Sequence, residues 1–584
     1  MLWLILYLST VLIGFQIVPF FKITSIDFLS RICVGWLLGS LGCGSILYIT
    51  TYFIPLNRFH SILLTSGVVA LNVFIYYRNK LRVYSLQFER NVWFYVYFFF
   101  TASFSLKYLS NMYRDAPDIL PSPVVPIFDN EFSFIYSAWK GCNRRRLLPF
   151  FFKNPLASNY HYSGYVVPLL YTPSLISLGA NYSDASILIS FMNIFCTIIG
   201  VYHLSKRYGQ WYTLTSFLFF FSGSWATFFY FRGYSRLSIE SDYIHTLSPR
   251  LSTVWYHPLL FFLTFSKSAS FAIASAQFSI LLSPSILSLL LAFITPSSMT
   301  SFSLFAFILS LPNPLNSITP IIKFLPYLIF KFIPFVCHFQ PFFREAQMNG
   351  VFYSHFVIWI LSIGPPAIIL LFFGWKFDRS MKSIVLALLG PFLLLHFIRE
   401  GRDFIGNDVA FISVFLLPAL AIFVDLLRRF QNWPDDLEYK GCFQYLIFMM
   451  IVFLSLGTFF SAKKMELMKI KVIGEEEREA AAWIKEAVKK SEVIFVKPKL
   501  IHPASLVGRQ LFIGDIKEVW NSGAKLSEKI ELYSNLIKSS SIREWKKTGI
   551  HFIMEDINDL FNLSYVNISM LQKNSKYQLS KIEY

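Results

Sequence analysis

The chain has 584 residues, 55% of them hydrophobic, 19% aromatic and only 15% charged, with a formal net charge of +18. A soluble domain carries about 25% charged residues, so the composition excludes an ordinary soluble globular protein. The positive balance does not point to nucleic acid, because basic loops orient membrane helices and meet anionic lipid head groups.

Apolar runs of roughly 20 residues, the length that crosses a bilayer, recur from Met1 to about Ser461. The first, MLWLILYLSTVLIGFQIVPF, has no basic start and no small-residue cleavage site, so a retained helix is expected there rather than a removed leader. Spans are expected at about 2–20, 28–50, 58–77 and 92–110. The intervening RNKLRVYSLQFER, with Arg78, Lys80, Arg82 and Arg90, is expected to be cytoplasmic. The fourth span then delivers residues 111–168 to the opposite side. Further runs cover about 163–180, 185–204, 211–231, 257–280, 281–311, 317–337, 353–374, 383–398, 408–428 and 443–461. The total is roughly thirteen helices, within a range of about 11 to 15. Prolines from Pro284 to Pro334 predict kinks or helix ends in the middle of the chain.

After Ser461 the composition turns mixed and charged. EEEREAAAWIKEAVKK, 475–490, predicts an amphipathic helix with acids at its start and lysines at its end, as the helix dipole favours. EVIFVKP, QLFIGD and GIHFIMED predict strands, with helices near 526–545 and 555–560. The expected architecture is an α-helical polytopic membrane protein with a small C-terminal α/β domain. It divides into N-terminal transmembrane helices (1–110), a non-cytoplasmic loop (111–162), a transmembrane helical core (163–461) and the soluble domain (462–584). The six cysteines have no metal or disulfide spacing, and most lie in apolar runs as small buried residues. Asn181, Asn562 and Asn567 head glycosylation sequons.

The polar loop carries the chemistry-bearing residues. Asp115, Asp118, Asp129 and Glu131 are the only acids between 111 and 168, and Arg144, Arg145, Arg146, Lys153 and His161 follow them. Asp129 and Glu131 form a D-x-E pair that can share a divalent cation, Mg2+ or Mn2+, gripping phosphate oxygens. One of them can instead act as a general base on an incoming hydroxyl. A bare D-x-E is also what ordinary solvated loop acids look like. His161, between two tyrosines, suits a phosphate, a metal or an interfacial aromatic belt. Arg144, Arg145 and Arg146 suit a lipid phosphate or a plain membrane-surface patch.

Three more polar breaks follow. The one at 231–258 holds Arg232, Arg236, Glu240, Asp242, His245 and Arg250, a density that marks either a site at membrane depth or a solvated loop. The others are 338–355 and 396–411, the latter with Arg399, Arg402, Asp403, Asn407 and Asp408, whose simplest role is mutual pairing. Lys267, amid apolar residues, either snorkels or meets an anionic substrate. No P-loop, G-x-G-x-x-G, H-E-x-x-H or nucleophile elbow occurs, so ATP-driven transport and metalloprotease chemistry have no motif.

An aspartate heading the first large loop (FDNEFSFIYSAWKG), then KNPLASNYHY, then VWYHPLLFFLTFSKSASF, and finally EREAAAWIKEAV and IHPASLVGRQLFIGDIKEVWNSG occur in that order. This pattern resembles the GT-C superfamily of polytopic glycosyltransferases, which use lipid-phosphate-linked sugars. The likeness is to a multi-pass branch with an NPFLAG…YHY run and an H-P-x-S-x-x-G-R segment, and it covers about 110–545 in patches; Lys267 stands where that branch suggests arginine. The resemblance implies a membrane glycosyltransferase with a catalytic base or metal ligand at Asp129 helped by Glu131, and His161 near the donor phosphate. Arg144, Arg145, Arg146, Arg232, Arg236, Lys267 and Arg509 are the further candidates for holding that phosphate. The implied partners are membrane lipid, a polyprenyl- or dolichyl-phosphate sugar donor and other membrane subunits, with no nucleic acid. The glycosylation sequons point to the endoplasmic reticulum membrane, whereas the resemblance implies a bacterial plasma membrane. A non-catalytic scaffold and a transporter or channel remain the rival readings, although the hydropathy shows no inverted repeat. The C-terminal domain is expected to be a lid on the loop, with Arg509 either reaching a phosphate or a carboxylate of 111–168 or pairing within its own domain.

Overall fold

The computed structural model describes residues 2–18, 27–51, 53–79, 88–121, 135, 139–140, 170–206, 211–221, 267–282, 341–343, 398–400, 417–431, 440–467, 469–498, 502–514, 527–538, 542–563 and 566–584. The N-terminal apolar runs form α1 (Leu2–Ile17), α2 (Phe28–Thr50), α3 (Arg58–Asn79) and α4 (Val92–Tyr113), each ending within a few residues of its expected position. Polar caps set two of the starts. The Asp27 carboxylate accepts the Ser30 N–H at 3.3 Å, and the Asn91 side-chain oxygen accepts the Trp93 N–H at 3.0 Å, satisfying donors that the first helical turn leaves open.

The next helices are α5 (Thr172–Ser177), α6 (Tyr182–Ser205), α7 (Tyr212–Phe221), α8 (Lys267–Leu281), α9 (Leu417–Gln431) and α10 (Lys440–Leu467). Of the run expected to span at 163–180, residues 163–169 lie outside the described residues, and the described part holds α5, stopped by Gly179 at φ 102°. Among the described residues three helices are long and apolar enough to cross a membrane: Phe28–Leu47 in α2, Arg58–Arg78 in α3, and α6. Helix α4 has the length, but its Ser, Thr and Tyr side chains lower its hydropathy.

Aromatic packing explains the Phe-rich composition. Phe104 of α4, Phe221 of α7 and Phe459 of α10 meet with ring centroids 5.1 to 5.6 Å apart, edge-on or stacked. Buried polar side chains join the helices. Trp36 Nε1 donates to Asn193 Oδ1 at 2.9 Å, and Asn193 Nδ2 donates to Ser270 Oγ at 3.3 Å, linking α2, α6 and α8. Helices α1 and α2 approach through glycine, with Gly14, Gly35 and Gly39 at the seam. Cys33, Cys43 and Cys196 are buried as expected, while Cys442 near the start of α10 is exposed.

The bundle has two polar ends. At one, His203 Nε2 lies 2.9 Å from Asp27 Oδ1, Lys206 pairs with Glu89, and Asn91 Nδ2 donates to Tyr212 Oη at 3.1 Å. This is the end reached by the basic stretch at 78–90. At the other end α4 and α10 exit and α6 enters, tied by Ser183 Oγ donating to Tyr113 O and by Asn111 Nδ2 donating to Glu466 Oε1 at 3.0 Å. Residues 111–121 and the C-terminal domain therefore share one end of the described bundle, opposite Arg78 and Glu89.

The polar breaks at 338–355 and 396–411 also meet. Strand β2 (Pro341–Phe343) pairs antiparallel with β3 (Ile398–Glu400), setting Phe342 opposite Arg399.

The C-terminal domain holds a five-stranded sheet of order β6-β5-β7-β9-β8. Strands β5 (Val493–Val496), β6 (Gln510–Leu511) and β7 (Phe552–Asp556) are parallel to one another, and β9 (Tyr577–Ile582) and β8 (Ile568–Lys573) add antiparallel. Successive residues on a strand face opposite sides. Ile494 and Val496 join the core on the side of α11 (Glu475–Ala487) and α12 (Pro503–Leu506). Val493 and Phe495 join the core on the side of α13 (Ser527–Lys538) and α14 (Ile542–Thr548), where Phe495 sits 4.8 Å from Trp545 and 5.0 Å from Tyr533. The helix expected at 555–560 is instead the end of β7 and a turn closed by Asp559 N–H on Asp556 O at 2.9 Å.

Candidate functional site

Asp129, Glu131, Arg144, Arg145, Arg146, His161, Arg232 and Arg236 lie outside the described residues. Lys267 opens α8, packed against α6. The structure describes both flanks of the segment that carries Asp129 and Glu131, and both flanks touch the C-terminal domain.

The upstream flank is β1 (Ile119–Pro121), which pairs antiparallel with β4 (Lys469–Lys471) directly beyond α10. Ile119 stands opposite Lys471, Leu120 opposite Ile470 and Pro121 opposite Lys469. Asp118 O accepts the N–H groups of Val472 at 2.7 Å and Ile473 at 3.2 Å, and Leu120 and Ile473 are buried. Charges reinforce the pairing. Arg478 of α11 donates from Nη2 to both Asp118 oxygens, Lys469 Nζ lies 3.7 Å from Asp115, and Lys469 Nζ also donates to Asn111 O at 2.6 Å.

The downstream flank is Trp139–Lys140. Lys490, just past α11, donates from Nζ to Lys140 O at 2.7 Å. Lys140 Nζ lies 3.9 Å over the Trp139 ring. Burial pushes the Lys140 ammonium below its ordinary value, and the charge of Lys485 adds to the shift. Helix α11 thus meets the upstream flank near its N-terminus and the downstream flank at its C-terminus. Its 13 residues span about 20 Å at the α-helical rise.

Two buried groups hold α11. Glu477 is almost wholly buried; its carboxylate accepts the Gly474 N–H at 2.7 Å, the Tyr577 hydroxyl at 3.1 Å and an ammonium proton of Lys576. Burial pushes this carboxyl up, but the hydrogen bonds from Lys576 and Gly474 outweigh it and leave it below its ordinary value. A folded-state value below the unfolded one means stability that is present above the ordinary carboxylate range and lost as pH falls through the folded value. Glu477→Gln is therefore expected to cost about 1–3 kcal/mol at neutral pH and to flatten the acid limb of the thermal midpoint measured against pH.

Arg509 holds the other end of α11. Its Nε donates to Val488 O at 2.8 Å, Nη1 to Val507 O at 3.1 Å and Nη2 to Lys485 O at 3.3 Å, and the side chain is buried. Among the described residues, these partners of Arg509 lie in its own domain: it caps carbonyls that the last helical turn leaves open, where a cation also suits the dipole. Gly508 at φ 64° gives the turn that aims it. Arg509→Lys, which keeps the charge and loses the fork, is expected to lower stability by about 1–3 kcal/mol, read as a thermal shift of the full chain in detergent.

His502 and Ser505 form no nucleophile–base pair. The His502 Nδ1 already accepts the Ala504 N–H at 3.1 Å as a helix cap, and Ser505 is fully buried. Among the described residues no group of three or more His, Cys, Asp or Glu side chains is placed to hold a metal ion.

The contacts that sequence reasoning missed are those of Asp118, Leu120, Arg478 and Lys490. Asp118 stands out as a loop acid, but its partner is 360 residues away in the chain, and no local pattern announces that.

No protein family matches the chain, and no curated protein matches it. Among solved structures, the archaeal oligosaccharyltransferase AglB from Archaeoglobus fulgidus, in complex with an inhibitory peptide and a dolichol-phosphate, is similar with a TM-score of 0.38 and 12% identity, over 80% of this chain and 70% of that chain.

Proposed function

We propose that the protein is a GT-C-like membrane glycosyltransferase that moves a sugar from a polyprenyl- or dolichyl-phosphate donor to an acceptor on the non-cytoplasmic side. The observation that carries this reading is the pairing of β1 with β4, which joins residues 119–121, the flank of the segment that carries Asp129 and Glu131, to the C-terminal α/β domain at one end of an apolar helix bundle. A lipid-linked donor presents its phosphate at such a membrane surface, with the sugar outside the apolar layer. The ordered motifs from FDNEF to HPASLVGR support the same reading by resemblance.

In this scheme Asp129 takes the proton of the acceptor hydroxyl as the hydroxyl attacks the anomeric carbon, and the lipid phosphate leaves with the bonding pair. Glu131 supports Asp129, and His161 with an arginine of 144–146 or 232–250 neutralises the departing phosphate. Catalysis then needs a carboxylate beside the anomeric centre and cations beside the phosphate.

The test is transfer from radiolabelled polyprenyl-phosphate sugars by the purified full chain in lipid, with Asp129→Asn as the control. Transfer by the native chain and none by the variant supports the enzyme. Native and variant chains that assemble alike and transfer nothing make the protein a scaffold.

A further inference from the structure

The exits of α4 and α10 are short. Strand β4 begins at Lys469, two positions past the end of α10 at Leu467, and β1 begins at Ile119 after α4 ends at Tyr113. The α4 exit is wound by its own backbone: Ala116 N–H donates to Tyr113 O at 3.1 Å, Asp118 N–H to Asp115 O at 2.9 Å and Ile119 N–H to Asp115 O at 3.1 Å. The two exits are then zipped by β1–β4, Asn111–Glu466, Asp115–Lys469 and Asp118–Arg478. Beneath the zip the buried apolar set runs without a break from the helix bundle through Leu120, Ile135 and Ile473 to the α11 face of the sheet.

A domain that swings as a lid needs an extended hinge and a polar, separable interface. This junction has short exits in place of a hinge, and its polar contacts lie over a continuous buried apolar layer. We infer that the β1–β4 junction fixes the C-terminal domain to the bundle as an immobile wall of the site, and that Asp118, held by Arg478, is a positioning residue for the chain that leaves β1 towards Asp129. That the wall borders a site, and the whole of the second clause, rest on the glycosyltransferase reading; the immobility of the domain stands on the geometry alone.

The strand register supplies the test. Val472 N–H on Asp118 O makes that pair hydrogen-bonded, so its neighbours Ile119 and Lys471 form the closely spaced, non-bonded type of antiparallel pair, about 4.5 Å between Cα atoms. That spacing lies within disulfide reach. The double variant Ile119→Cys/Lys471→Cys, in the full chain in lipid, is oxidised with diamide, which takes up the two protons and two electrons that the thiols lose. Mass spectrometry of the digest is expected to find the linked peptides, and transfer is expected to continue in the locked protein. A lid would instead stop turning over when locked and restart with dithiothreitol, which overturns the inference, as does failure of the link to form. Arg478→Ala is expected to lower kcat about two- to fivefold, the size of a lost exposed ion pair, with KM for the donor unchanged. Arg478→Lys, or the charge swap Asp118→Arg/Arg478→Asp, is expected to recover part of it. A KM effect without a kcat effect overturns the positioning role. If the link forms in a chain that transfers nothing, the enzyme reading and the role of Asp118 fail together, and the immobile wall remains.

Discussion

Asp129→Asn is expected to lower sugar transfer by about a hundred- to ten-thousand-fold, the range in which a general base acts. Asparagine keeps the size and the acceptor oxygen of aspartate but cannot take a proton at neutral pH, so a large loss with unchanged folding isolates the proton transfer. Glu131→Gln is expected to cost less, because a supporting carboxylate acts through its neighbour. The D-x-E pair leaves a second role open, and a chelator separates the two. If transfer survives prolonged EDTA treatment, Asp129 acts as a base. If it is lost and returns with Mg2+ or Mn2+, the two carboxylates hold a cation. Quantifying product against donor concentration adds a further check, since loss of a base lowers kcat and leaves donor KM near its native value.

The N-terminal bundle was legible because its signal is local. An apolar run of membrane length states both its ends, so α2 begins at Phe28 and α3 at Arg58 where the runs begin. In the C-terminal domain β5 was legible for the same reason: VIFV is apolar on both faces and is buried on both. Strands β8 and β9 were missed because ISMLQK and YQLSKI mix lysine, serine and glutamine into an edge hairpin whose outer strand is largely exposed. The turn between them, where Asn574 Oδ1 accepts the N–H groups of Lys576 and Tyr577, was the available signal.

What positions the candidate site was not legible, for a different physical reason. A three-residue strand such as ILP has no periodicity of its own and forms because KIK lies alongside it. The acceptors that capture Arg509 are backbone carbonyls of Lys485 and Val488, and every residue has one. An arginine in a Pro- and Gly-shaped loop suggested a ligand contact or a partner in its own domain, and the fold uses it to finish a helix. Side-chain chemistry can be listed from a sequence, but the partner that consumes it is a property of the fold.

The largest expected effect on folding lies in the helix bundle, at Gly39. A Cβ built on Gly39 falls 1.9 Å from Thr10 O, one on Gly35 falls 2.7 Å from Val11 O, and one on Gly14 falls 2.2 Å from Gly35 O. These neighbours are backbone of the facing helix, so no side chain can rotate to make room. Gly35 and Gly39 are four apart and share one face of α2, the small-residue spacing by which membrane helices come into close contact. Lipid supplies no hydrophobic drive between two apolar helices, so this close approach and the hydrogen bonds it permits carry the pairing. Tyr171 donates to Thr10 Oγ1 at 3.0 Å within the same seam, so separating α1 from α2 also breaks a buried link to the segment leading into α5. Gly39→Leu is thus expected to cost more than about 3 kcal/mol, beyond the usual range for overpacking because backbone must move, and to leave little monodisperse protein after extraction. Gly42→Ala is the internal control. It sits on the same helix with nothing within 4 Å of its Cβ position, and the change is expected to be neutral or to stabilise by up to about 1 kcal/mol. Size-exclusion profiles and thermal midpoints of the two variants in one detergent decide the matter: equal behaviour would mean that the α1–α2 seam is not glycine-packed.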